Sequence, residues 1–153
     1  MKFRRGLILL NIDQIKALIP HRDPFLFLDR VQEVELWKSA IGYRTFSSSE
    51  NFFVGHFPDY HVVPGVILIE AMAQLATLCV AYSYEKEGQK KPSGVAFMSI
   101  DQAKFRKPVE ENDTVKFIVN QEKGRGSIFQ FTGTGFIDDT KVCEAKFMAM
   151  SKK

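Results

Sequence analysis

Cysteine is scarce in this sequence: only Cys79 and Cys143 occur among 153 residues. They lie far apart in separate apolar segments, so neither a disulfide framework nor metal-ligand spacing is indicated. We therefore expect both thiols to be reduced and buried. Histidine is also rare, and the spacing of His56 and His61 matches no common ligand motif, so the sequence predicts no metal site.

A strong net charge and blocks of like charge are missing as well. The formal net charge is +3, and the Lys and Arg residues are spread along the chain, which does not indicate nucleic-acid binding. A mildly acidic macromolecular partner is compatible with this balance. Internal repeats and low-complexity segments are absent, and the length favours one domain spanning residues 1–153.

The sequence contains one long hydrophobic run. The apolar run LILL near the N-terminus is shorter than a signal-peptide core, so we expect a cytoplasmic protein. Residues 62–84 form a run long enough to span a membrane, with a single charge. Glu70 and Gln74 in mid-run would be costly in hydrocarbon, and no Lys/Arg cluster flanks the run. The sequence therefore predicts a buried helix and no membrane span.

Periodicity predicts an α+β chain. Asn11 can cap a short helix through Ile19, ended by Pro20. The segments FLFLDRVQEVEL and SAIGYRTFS are predicted to pair as a hairpin, and a long helix is predicted over residues 65–85. Four further strands, over residues 94–106, 113–122, 127–138 and 140–150, are predicted to form an antiparallel meander. Because the long helix is apolar nearly all round, we expect a sheet of five to six strands to curl about it.

A carboxylate and an amide interrupt the apolar helix. Glu70 has no nearby charge in the sequence to pair with, so its partner must come from elsewhere in the fold or from a ligand. Gln74 lies one turn further on the same face, where it can hydrogen-bond Glu70 or a water beside it. Two polar groups on one helical stripe indicate a functional site, although a lone carboxylate more often faces solvent.

Two features precede this helix. Pro64 and Gly65 stand at its start, where unpaired amides favour negative charge and glycine permits close approach, so the Gly65 N–H can serve an oxyanion. A plain Pro-Gly helix start is the simpler interpretation. His56 lies in GHFP, a rigid turn that can hold an imidazole against the helix, and histidine suits a general base at neutral pH. The prediction of a site depends on Glu70, Gly65 and His56 taken together, since a lone histidine is more often structural.

The stretch GHFPDYHVVPGVILIEAMAQ, residues 55–74, closely resembles the signature of the (3R)-hydroxyacyl-acyl-carrier-protein dehydratases of fatty acid synthesis. The resemblance extends to IPHRDPFLFLDRV, IDQAKFRKPV and KVCEAKFMAM, and so covers most of the chain. It implies a single hot-dog domain, with the long helix wrapped by an antiparallel sheet. It also implies homodimers whose sheets run together, often assembled as trimers of dimers, with each site built from both subunits.

The resemblance assigns roles to individual residues. His56 corresponds to the catalytic histidine, and the catalytic glutamate corresponds to Glu70 of the partner subunit. Gly65 matches the amide donor to the thioester carbonyl, and Gln74 matches the glutamine beside the carboxylate. The predicted substrate-binding set also includes two neighbours of these residues, Phe57 and Val66.

The implied reaction converts (3R)-3-hydroxyacyl-acyl carrier protein to the trans-2-enoyl form. It needs a base, an acid for the leaving hydroxyl and an oxyanion donor. The resemblance implies no metal or redox cofactor, and it implies that the phosphopantetheine arm of the carrier protein delivers the substrate. Whether Glu70 acts on the hydroxyl directly or through a water is left open by the sequence.

Two departures from the family pattern concern the substrate. The family usually has proline at the position of His61 and a bulky aromatic at that of Ala96, near the acyl tunnel. A specialised dehydratase of a polyene or polyketide pathway is therefore an alternative, and a hot-dog acyl-thioesterase is another. Double-bond isomerisation is disfavoured, because the related isomerases carry aspartate at the position of Glu70.

The segment KFRKP, residues 104–108, predicts a docking surface for the acidic carrier protein. If this segment is a strand, Ala103 and Phe105 face the core, while Lys104 and Arg106 face outward and Lys107 extends the basic edge. An ordinary solvated strand face is the alternative interpretation.

Overall fold

A computed structural model describes residues 6–125 and 127–152. The chain enters through strand β1 (Gly6–Leu10), helix α1 (Ile12–Leu18) and the hairpin β2 (Arg30–Glu35) and β3 (Ser39–Thr45). A 3-10 helix (Asn51–Val54) leads to the long helix α2 (Gly65–Lys86). The four remaining strands are β4 (Gly94–Phe105), β5 (Thr114–Arg125), β6 (Ile128–Ile137) and β7 (Thr140–Lys152).

Helix α2 forms the centre of the fold. It begins after Pro64 and ends just before Gly88, whose φ of 70° is the left-handed conformation that favours glycine after a helix. Its buried side chains include Leu68, Met72 and Leu75. Ser83, also buried, accepts a hydrogen bond from the Trp37 N–H at 2.8 Å and so ties the β2–β3 turn to the helix. The predicted helix wrapped by an antiparallel sheet is confirmed.

The sheet contains seven strands where five to six were predicted. Its order is β1-β2-β3-β5-β6-β7-β4, with every neighbouring pair antiparallel. The additional strand is β1, which pairs with β2. The predicted four-strand meander is only partly correct: β5, β6 and β7 follow one another, but β4 pairs with β7 at the edge of the sheet.

Strand β4 also departs from the predicted alternation. Ala103 and Phe105 were predicted to face the core, yet both are exposed, and Phe105 keeps 50% of its surface accessible. An edge strand has a neighbour on one side only, and the register of β4 against β7 shifts between Asp101 and Lys104. This bulge, with Gln102 at φ 51°, breaks the two-residue alternation.

Helix α2 is long and apolar enough to cross a membrane by length and composition alone, but 67% of its most apolar 18-residue window is buried inside the fold. Cover of this extent is typical of a core helix. The same core contains both cysteines, which are unpaired and buried as predicted. Burial raises the pKa of each thiol to about 12, so both stay protonated at neutral pH.

Candidate functional site

His56 is held by two backbone carbonyls, one before it and one after it in the sequence. Its N–H donates to Phe52 O at 3.0 Å, and its ring Nδ1 lies 2.8 Å from Val62 O. Because a carbonyl oxygen can only accept, Nδ1 carries a proton and Nε2 of the neutral ring keeps its lone pair. The Phe57 ring stacks on the imidazole with centroids 4.3 Å apart. The geometry leaves Nε2 available as a proton acceptor.

Glu70 and Gln74 form a hydrogen-bonded pair on the second and third turns of α2. Gln74 Nε2 donates to Glu70 Oε2 at 3.0 Å and to Phe25 O at 3.0 Å, while its Oε1 accepts from Phe27 N–H at 2.8 Å. Gln74 is fully buried, so these contacts satisfy an amide that would otherwise be costly there. Gln74 thus joins the Phe25–Phe27 segment to α2 and orients the carboxylate.

Burial raises the pKa of Glu70, against the opposing effect of the Gln74 hydrogen bond. The protonated form is therefore more populated than in an exposed glutamate, which suits a proton donor.

His21 lies beside Glu70, a neighbour that the sequence analysis did not include. Its Nε2 is 3.7 Å from Glu70 Oε2, and its pKa is lowered by burial and by the charge of Arg22. Its Nδ1 has no hydrogen-bond partner in the described part of the chain. The available signal was its place in IPHRDPF, one of the stretches that carries the family resemblance.

Gly65 begins α2, and its N–H has no intrahelical acceptor because it is the first residue of the helix. A Cβ at this position would lie 2.8 Å from two atoms of the Phe105 ring, so the absence of a side chain admits that ring. Two predicted substrate-binding residues beside the site, Phe57 and Val66, are exposed by 52% and 71%. Together with Phe105 they give the helix start an open apolar surface.

His56 and Glu70 have separate partners within one chain. His56 is fixed at Val62, before the start of α2, whereas Glu70 lies about 7.5 Å along the helix axis from Gly65, at 1.5 Å per residue. There it contacts Gln74 and His21.

The three predicted docking residues are all exposed, but they differ in their partners. Arg106 Nε donates to Glu144 Oε2 at 2.6 Å, and this hydrogen bond holds the pKa of Glu144 below its usual value. Lys104 and Lys107 are exposed on either side of Arg106. The charge of Arg106 is therefore partly neutralised.

His61 lies on the loop that follows His56. Its ring stacks on Phe53, and its Nδ1 is 3.3 Å from Glu111 Oε2. Over residues 6–125 and 127–152, no group of three or more His, Cys, Asp and Glu side chains could hold a metal ion.

Sequence comparison identifies the family. A family model described as a FabA-like domain matches residues 19–146. The chain belongs to this FabA-like family. A 3-hydroxyacyl-[acyl-carrier-protein] dehydratase FabZ from Gluconobacter oxydans is 42% identical over 142 residues, 92% of this chain and 83% of that protein. One of the same name from Nitratiruptor is 42% identical over 144 residues, 93% of this chain and 97% of that protein.

Solved structures confirm the hot-dog fold of this FabA-like chain. The dehydratase heterocomplex ApeI:P from Xenorhabdus doucetiae matches with a TM-score of 0.81 at 14% identity, over 91% of each chain. Cj0977, a virulence protein from Campylobacter jejuni, matches with a TM-score of 0.65 at 11% identity, over 93% of this chain and 90% of that one. At such identities the likeness concerns the fold alone.

Proposed function

We propose that this chain dehydrates (3R)-3-hydroxyacyl-acyl carrier protein to trans-2-enoyl-acyl carrier protein in fatty acid biosynthesis. The observation that carries the proposal is the 42% identity to dehydratases of that name over more than nine-tenths of the chain. His56 and Glu70 lie in environments suited to proton transfer, and this supports the proposal.

In the proposed reaction, Nε2 of His56 removes a proton from the carbon α to the thioester. The electron pair forms the double bond as the β-hydroxyl leaves, and a proton delivered to that hydroxyl makes the product water. The Gly65 N–H donates to the thioester oxygen while charge develops there. The raised pKa of Glu70 suits it to deliver the second proton, directly or through a water.

We assign the two proton-transfer groups of each site to different subunits of a homodimer. Strand β4 supports this assembly, because it is one of the two edge strands and exposes several large apolar side chains: Phe97, Met98, Ile100 and Phe105. An unpaired apolar edge of this kind is suited to pairing with a second copy. We further propose that three such dimers assemble into a trimer of dimers and that the protein is cytoplasmic.

The substrate arrives on the phosphopantetheine arm of an acidic carrier protein. The reaction as written needs no metal or redox cofactor, since it moves only protons and water.

The direct test is an assay of the purified protein on (3R)-3-hydroxyacyl-carrier-protein thioesters of several chain lengths, including polyene intermediates. We expect water loss, with turnover reduced by about two to four orders of magnitude in His56→Ala and in Glu70→Gln. Release of free thiol without enoyl product would replace the proposal with thioester hydrolysis. Near wild-type turnover in either variant would remove that residue from the mechanism.

A further inference from the structure

The loop between His56 and Val62 is closed by contacts at both of its ends. Val62 N–H donates to His56 O at 3.0 Å, and Val62 O is 2.8 Å from His56 Nδ1. Val62 therefore binds both the backbone and the ring of His56. The contact with Val62 O therefore sets the direction in which Nε2 points.

Val62 is in turn attached to the segment that follows β4. It forms a β-bridge with Glu110, and the next N–H, of Val63, donates to Val109 O at 2.8 Å. The position of the His56 ring thus depends on how firmly residues 61–63 lie against residues 109–111.

The side chain of His61, the residue before Val62, adds contacts to this attachment. Its ring stacks on Phe53, which is 1% exposed, with centroids 5.3 Å apart and planes inclined by 17°. Its Nδ1 lies 3.3 Å from Glu111 Oε2, within ion-pair distance although not in hydrogen-bond geometry. One face of the ring packs on the core, and its Nδ1 edge faces a carboxylate of the opposite segment.

We propose that His61 is a positioning residue: its stacking on Phe53 and its pairing with Glu111 hold the Val62 carbonyl against His56 Nδ1. This keeps the proton of the neutral imidazole on Nδ1 and the lone pair of Nε2 directed at the substrate. His61 itself does not touch the reacting atoms. The kinetic part of this inference rests on the proposed function.

Two variants test the contact with Glu111 while a ring stays stacked on Phe53. His61→Phe keeps a ring on Phe53 and removes the pairing with Glu111, while Glu111→Gln removes the charge from the other side. We expect each to lower kcat by about three- to tenfold with KM changed less than twofold, and the double variant to lose no more than either single one. Glu85→Gln, which breaks the exposed Lys91–Glu85 pair on the surface, is the matched control and should leave kcat unchanged.

A second measurement does not depend on turnover. Nitrogen-15 NMR of the His56 ring should show the Nδ1-protonated tautomer in the wild type and a smaller fraction of it in His61→Phe and Glu111→Gln. Unchanged tautomer populations in both variants would overturn the inference, and so would additive losses of kcat in the double variant. If the wild type lacked dehydratase activity, the proposed function would fail while the NMR result still decided the role of His61.

Discussion

Gln74 determines how a carboxylate can occupy the middle of the core helix. Its side chain makes three hydrogen bonds, two of them to the backbone of the Phe25–Phe27 segment and one to Glu70. The amide therefore cannot rotate without breaking buried hydrogen bonds, each of which is costly to leave unmade. Glu70 is held by a partner that is itself fixed, which is the preorganisation that proton transfer requires.

The raised pKa of Glu70 predicts how stability depends on pH. The folded protein holds this proton more tightly than the unfolded chain, so the free energy of unfolding falls as pH rises from the ordinary carboxyl value, about 4.3, through the raised native value. Glu70→Gln removes this loss. We expect the variant to be more stable than the wild type at pH 7 and above, by a margin that shrinks toward pH 4.

Chemical denaturation of both proteins across this pH range measures the difference. A margin that is constant with pH would mean that the carboxyl group titrates alike in the folded and unfolded states.

At the scale of elements, side chains of helix α2 pack directly over glycines of the sheet. A Cβ at Gly133 on β6 would lie 2.6 Å from the sulfur of Met72, which is fully buried. Gly133→Ala should therefore reduce the free energy of unfolding by about 1–3 kcal/mol through overpacking. Gly94→Ala on β4 is the control, since nothing lies within 4 Å of the added carbon. Equal midpoints of urea denaturation for the two variants would show that the helix adjusts freely.

Elements with a strong local pattern were predictable from the sequence. The capping box of Asn11 and Gln14 encodes the start of α1, and the long apolar run encodes α2. The alternation along β7 is visible in Cys143, Ala145 and Phe147, which are buried, with half-buried polar residues between them.

The parts that were missed depend on contacts distant in sequence. Strand β1 has only five residues, too few for a clear period, and it is a strand because β2 lies beside it. β4 pairs with β7 in place of β5 because of how the sheet closes around α2. The sequence of a single segment does not indicate this closure. For the same reason, His21 could be placed beside Glu70 only by the fold.

At the scale of the whole molecule, the proposed assignment of His56 and Glu70 of each site to different subunits predicts complementation between inactive variants. If each site takes its histidine from one subunit and its glutamate from the other, a hybrid dimer of His56→Ala and Glu70→Gln chains contains one intact site. Mixing the two variants under conditions of subunit exchange should then restore up to about a quarter of wild-type activity, since about half of the dimers are hybrids with one site each. No recovery after exchange has been verified by mass spectrometry would place both groups of a site in one chain.

The charge distribution around β4 predicts which basic residues meet the carrier protein. Arg106 is hydrogen-bonded to Glu144, whereas within residues 6–125 and 127–152 neither Lys104 nor Lys107 forms an ion pair, so their positive charge is the more available. The double variant Lys104→Glu and Lys107→Glu should raise KM for the carrier-protein substrate at least about threefold at low ionic strength, because electrostatic steering is lost. Glu144→Gln should lower that KM by releasing the charge of Arg106. Turnover of a small pantetheine thioester should be unaffected in both.

The control for charge is Lys38→Glu. Lys38 is an exposed residue of the β2–β3 turn. This turn is joined to the C-terminal part of α2 through Ser83. Lys38→Glu changes the net charge by about half as much as the double variant does but lies away from the start of α2, so KM should stay near the wild-type value. If Lys38→Glu raised KM in proportion to its charge change when compared with the double variant, net charge alone would govern the encounter. If instead the carrier-protein and pantetheine substrates lost turnover equally in the β4 variants, these lysines would shape the site and the docking surface would lie elsewhere.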